Sequence, residues 1–137
     1  MLFLKEMNIE DAKKEYIAMT SIPEDENGFV NKFYNVSFEE FVNEVIPTCE
    51  KQSKGIDLKP NRVPQNYYFL WDDDEIVGLF KVRKKLNDSL REGAGHIGYG
   101  IIKKYRNKGY ATRGLKLVIE LIKDEIEEFF YYNDREN

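Results

Sequence analysis

Two runs of aromatic and β-branched residues, Tyr67-Tyr68-Phe69-Leu70-Trp71 and Glu75 to Val82, flank the polar triplet Asp72-Asp73-Asp74. Runs of this kind about a tight polar turn form an antiparallel hairpin, and no other segment constrains the fold as much. A third antiparallel strand can follow the loop from Asn87 to Gly95, running from Ala94 to about Lys103. The centre of the chain is therefore expected to be an antiparallel sheet.

Helices are expected on both sides of this centre in sequence. Leu2 to Met7 reads as a short first strand, after which Asn8 can cap a helix whose apolar face carries Ala12, Tyr16 and Ile17. Pro23 and Gly28 break that pattern into a polar loop. Ser37-Phe38-Glu39-Glu40 has the form of a capping box, and Phe38, Phe41, Val42, Val45 and Ile46 stand at helical spacing. Pro47 ends or kinks this second helix. Gly55, Pro60 and Pro64 mark a loop before the hairpin. After Gly109, Ala111, Leu115, Val118, Ile119, Ile122 and Ile126 define a strongly amphipathic helix. Phe129 to Asn133 is an aromatic run suited to one more strand. The order β-α-α-β-β-β-α-β describes one α+β domain over residues 1–137, in keeping with the length.

Composition narrows the partners. No apolar run approaches a membrane span, and Lys5 and Glu6 interrupt any signal-peptide pattern at the start. A single cysteine, Cys49, excludes an internal disulfide and points to a reducing cytoplasm. The net charge of −4 argues against nucleic acid as the main partner. The basic residues nevertheless concentrate between Lys81 and Arg113, which suits a small anion.

The stretch His96 to Thr112, HIGYGIIKKYRNKGYAT, passes from strand-like to helical character through Arg106-Asn107-Lys108-Gly109. A helix N-terminus offers unpaired N–H groups and partial positive charge, so a loop wrapped into it can hold a phosphate. Gly109 avoids a Cβ that would obstruct the wrap or the ligand, Ala111 leaves room, and Arg106 and Lys108 add charge. The bland alternative is an ordinary glycine turn before a helix.

Arg106-Asn107-Lys108-Gly109-Tyr110-Ala111 resembles the R/Q-x-x-G-x-G/A signature of the GNAT family of N-acetyltransferases. The likeness extends to a bacterial subgroup of predicted acetyltransferases through Val63-Pro64, Val82-Arg83, Leu86-Asn87 and Gly95-His96-Ile97-Gly98-Tyr99. It implies the GNAT fold, acetyl-coenzyme A as cosubstrate, and a small-molecule or peptide amine as acceptor. It implies that the backbone of Tyr99, Gly100 and Ile101 runs beside the pantetheine arm, with the Ile101 N–H polarising the thioester carbonyl. Asn107, Lys108, Gly109, Tyr110, Ala111 and Thr112 would enclose the pyrophosphate, with Arg106 a further contact to the cofactor. Asn137 falls where the family commonly has an asparagine that contacts coenzyme A. The family's last helix and two strands, and its usual tyrosine acid, would be missing after Asn137.

Direct attack of an amine on the thioester needs a base. His96, the sole histidine, has an unperturbed pKa of about 6.5 that suits the task; the bland reading is a structural histidine bonded to backbone. Asp88 and Glu92 are alternatives, and Cys49 and Trp71 read as core. Two other functions stay open: a catalytically impaired remnant that binds coenzyme A or a partner protein, and a module for another phosphate-bearing ligand. If Phe129, Phe130, Tyr131 and Tyr132 sit at an open sheet edge, a homodimer is expected.

Overall fold

The computed structural model describes residues 1–23, 25–26, 29–56, 64–83, 97–121 and 123. Along the chain come β1 (Leu2–Glu6), α1 (Ala12–Thr20) and the two-residue strands β2 (Asp25–Glu26) and β3 (Phe29–Val30). A continuous helical stretch follows, made of α2 (Phe38–Glu40), a π-helical segment (Phe41–Val45) and α3 (Ile46–Ser53). Then come β4 (Gln65–Asp72), β5 (Glu75–Arg83), β6 (Ile97–Ile101), a 3-10 turn (Lys103–Tyr105) and a last helix, α4, over residues 110–121.

The expected hairpin is β4 and β5, paired antiparallel from Gln65↔Arg83 to Asp72↔Glu75. Asp73 takes a positive φ of 55°, the left-handed conformation that a two-residue hairpin turn requires and that aspartate tolerates. β1 pairs with β4 and β6 with β5, giving one antiparallel sheet in the order β1-β4-β5-β6. The fold is the α+β arrangement read from the sequence.

Strand alternation sends side chains to two separate cores. Tyr67, Phe69 and Trp71 of β4, with Leu79 of β5, pack on one face against Met19, Ile22, Phe41, Val45 and Cys49. Leu70, Phe80, Val82 and Ile101 pack on the other face against Val118 of α4. A bulge between Leu70 and Trp71 adjusts the register near the turn. Cys49 and Trp71 are core residues, and burial pushes the Cys49 thiol up to about 12.

Gly114 explains how α4 comes so close to the sheet. A Cβ there would lie 2.7 Å from Phe80 Cε2 and 2.8 Å from Leu70 Cδ2. On the other face, the buried Asn31 donates through Nδ2 to the carbonyls of Met19 (2.8 Å) and Ile22 (2.9 Å). Its Oδ1 accepts from the Phe33 N–H at 3.1 Å, which fixes the exit of α1 beside β3, and β3 lies against β6.

Three local expectations are corrected, the first being Ile119, which the spacing sets on the apolar face of α4 and which is 48% exposed. Ile17 does not join the buried face of α1: it is 62% exposed, and Glu15 is fully buried instead. The Glu15 carboxyl accepts the Asn8 N–H at 3.0 Å, and burial pushes its pKa up to about 8. Asn8 still organises the helix start, because its Oδ1 accepts the Asp11 N–H at 3.0 Å. Of the two outcomes expected at Pro47, an end to the second helix does not occur. The π segment before it lets the Ile46 N–H reach the Phe41 carbonyl, five residues back, so the wider turn accommodates the proline ring and α3 continues to Ser53. Ser37 caps this stretch as expected, its Oγ accepting from the Glu40 N–H at 3.1 Å.

His96, Asp88, Glu92, Val63 and the segment from Phe129 to Asn137, on which the homodimer expectation rests, lie outside the described residues. Among the described residues, no helix is long and apolar enough to cross a membrane.

Candidate functional site

The site begins with the register of β6. Ile102 donates its N–H to the Val77 carbonyl at 2.9 Å, and the ladder continues as Gly78↔Ile101, Leu79↔Gly100 and Phe80↔Tyr99. Antiparallel pairs alternate between bonded and non-bonded, so Gly100 spends its backbone groups on β5. Tyr99 and Ile101 direct theirs away from β5, along the edge that ends the sheet among the described residues. Arg106 occupies one of these outward groups, its Nε donating to the Ile101 carbonyl at 3.3 Å. Of the three residues expected beside a pantetheine arm, two have outward backbone groups and Gly100 does not.

Beyond β6 the chain coils once through Lys103–Tyr105, where Tyr105 N–H bonds the Ile102 carbonyl at 2.8 Å and Arg106 N–H bonds that of Lys103 at 3.2 Å. It then reverses through Asn107 (φ 66°) and Gly109 (φ 80°). The first bond of α4 is Arg113 N–H to the Gly109 carbonyl, 3.1 Å. The N–H groups of Tyr110, Ala111 and Thr112 therefore have no helical acceptor. Of the two reasons expected for glycine at 109, obstruction of the loop's own wrap is not the one. A Cβ there would meet nothing of the chain nearer than Arg113 Nε at 3.9 Å, while the left-handed φ by itself favours glycine.

The helix N-terminus and the β6 edge open on the same cavity of about 300 Å³. Tyr99, Ile101, Tyr105, Arg106, Asn107, Gly109, Tyr110, Ala111 and Thr112 line it. All nine come from a run of 14 positions, brought together because strand, turn and helix share one bend. Lys108 stands exposed at the loop, its carbonyl accepting from Arg113 Nη2 at 3.3 Å, and the Arg113 guanidinium lies 4.9 Å from the Tyr110 ring centroid.

The sequence reading missed what holds this loop from behind. Tyr110 donates its hydroxyl to Asp72 Oδ2 at 2.5 Å, and Tyr105 donates to Glu75 Oε2 at 3.0 Å. The Tyr110 hydroxyl holds the Asp72 carboxyl below its usual range, and the same bond raises the Tyr110 phenol. In sequence Asp72 reads as a turn residue and Glu75 as the start of a strand, and their partners lie 30 or more positions away.

A second cavity, of about 360 Å³, lies at the β1 side of the sheet among Met7, Ile46, Cys49 and Tyr67. Its charged rim is already engaged, with Lys54 Nζ 3.0 Å from Glu50 Oε1.

Residues 30–135 match the family model described as Acetyltransferase (GNAT) family. That span is most of the chain, and the chain belongs to the GNAT acetyltransferase family. Solved structures share the fold. A probable acetyltransferase is 18% identical, with a TM-score of 0.61, over 92% of this chain and 64% of its own. A GNAT family acetyltransferase from Staphylococcus aureus is 16% identical, with a TM-score of 0.53, over 90% of this chain and 78% of its own. PaiA N-acetyltransferase from Thermoplasma acidophilum, in complex with coenzyme A, is 11% identical, with a TM-score of 0.53, over 98% and 88%. The chain thus spans less than two thirds of the length of the first of these structures. No functionally curated protein matches the chain by sequence.

Proposed function

We propose that this chain transfers an acetyl group from acetyl-coenzyme A to an amine of a small molecule or peptide. One observation carries the reading: Ile101, with its outward N–H, and the first residues of α4, whose amides have no helical acceptor, line the same cavity. A thioester and a diphosphate are the two polar groups of acetyl-coenzyme A that such donors suit. The amides of Tyr110, Ala111 and Thr112, in the field of the α4 N-terminus, donate to the pyrophosphate, with Arg106 and Lys108 adding charge. Asn107 and Gly109 bend the backbone so that these amides face one way.

The Ile101 N–H is placed to stabilise the negative charge that develops on the thioester oxygen during attack. In that step the amine nitrogen bonds the acetyl carbon and the C–S bond breaks. The amine gives up a proton to a base, for which His96, adjoining β6, is the candidate, and the departing thiolate takes one up. A single buried thiol fits a reducing cytoplasm.

Thiol release from acetyl-coenzyme A over a panel of small-molecule and peptide amines tests the reading. Amine-dependent release is expected. Binding of coenzyme A without release for any amine would leave a coenzyme A-binding protein, and absence of binding would remove the proposal altogether.

A further inference from the structure

We infer that the acidic turn between β4 and β5 braces the anion loop, with Asp72 and Glu75 as positioning residues for ligand binding; the ligand side of this inference rests on the proposed function. Tyr105 and Tyr110 flank the loop from Arg106 to Gly109, and their rings meet edge to face with centroids 6.1 Å apart. Both hydroxyls point back to the same turn, Tyr110 to Asp72 at 2.5 Å and Tyr105 to Glu75 at 3.0 Å. Asp72 and Glu75 are direct register partners across that turn, so the hairpin fixes the spacing of the two acceptors. The loop between the tyrosines holds two residues at positive φ, Asn107 and Gly109. Left alone, such a segment has other conformations, and choosing one on binding weakens affinity. Two anchored tyrosines make that choice in advance.

The arrangement places carboxylates behind an anion site, which electrostatics alone disfavours. Their use is geometric: each accepts a hydroxyl hydrogen, and an amide oxygen in the same place does the same. Asp72 also has its Oδ1 3.7 Å from the α-amino group of Met1, and Arg113 lies over Tyr110, so charge on the turn is partly offset. These contacts lie at or near the surface. Their loss is therefore expected to loosen the loop rather than unfold the sheet.

The test uses the full chain as Tyr110→Phe, Asp72→Ala, the double variant and Asp72→Asn. Coenzyme A binding is measured by calorimetry, and amide hydrogen exchange is followed in the ligand-free protein. Tyr110→Phe and Asp72→Ala should each weaken binding about three- to tenfold. The double variant should be no weaker than either single one, because both remove the same bond. Asp72→Asn should bind at least as well as wild type. Exchange at the loop-closing amides of Tyr105, Arg106 and Arg113 should speed up in the weakened variants, with β4 and β5 amides unchanged. Additive losses, unchanged loop exchange, or equal acceleration in the strands would each overturn the brace. Should wild type fail to bind coenzyme A, the proposed function falls while the exchange pattern still decides the brace.

Discussion

Arg106 is bonded to the sheet it follows: its Nε donates to the Ile101 carbonyl at 3.3 Å, on the outward edge of β6. The side chain thus joins the strand that carries the proposed oxyanion donor to the loop that carries the proposed phosphate donors. Arg106→Ala removes a charge and this tie but no backbone amide. Coenzyme A affinity is expected to fall by about tenfold or less, with detectable binding remaining. The loss should shrink as salt rises, since part of it is screened charge. Calorimetry at low and high ionic strength measures both.

Gly114→Ala sets two effects against each other. Alanine gains about 1 kcal/mol of helix propensity over glycine. The new Cβ, however, lies 2.7 Å from Phe80 Cε2 and 2.8 Å from Leu70 Cδ2, both in fully buried side chains. Overpacking of this kind costs about 1–3 kcal/mol, so a net loss is expected. Urea denaturation showing equal or greater stability would mean that α4 lifts from the sheet more easily than the contacts indicate.

Glu15→Gln should change how stability depends on pH. The Glu15 pKa rises from an ordinary 4.5 to about 8 in the folded chain because the carboxyl is buried. The folded state then holds a proton that the unfolded state has released, so this group's contribution declines as pH rises from about 4.5 to about 8 and is flat above. Glutamine holds no such proton, and the variant should lose that part of the slope. Thermal melts from pH 4.5 to 9 read it directly; identical slopes in both proteins would contradict the burial.

Much of this architecture was legible because it is written locally. The β4–β5 hairpin shows as two apolar runs about three aspartates, and α4 shows in the spacing of Ala111, Leu115 and Val118. The loop proposed to hold the phosphates is legible for the same reason, since its cavity-lining residues lie close in sequence. Contacts between distant segments were not. Tyr105 and Tyr110 reach Glu75 and Asp72 only after the sheet has formed. Gly114 looks like a weak point in a helix until Phe80 and Leu70 are opposite it. Glu15 and Ile17 show how periodicity misleads: the Glu15 carboxyl is buried and accepts the Asn8 N–H, while Ile17 faces out. Pro47 announced an end or a kink, and the helix runs on past it through a π turn.

The most direct test is a calorimetric titration of coenzyme A into wild type and Gly109→Glu. A side chain at 109 has open space before it but a φ of 80°, which costs an L-residue about 1–2 kcal/mol, so the fold should survive. The added carboxylate would stand at the mouth of the α4 N-terminus and oppose a diphosphate. Saturable one-to-one binding by wild type and none by the folded variant is the expected result. Equal affinity in the two proteins would contradict the assignment of the Arg106–Thr112 loop as the phosphate site.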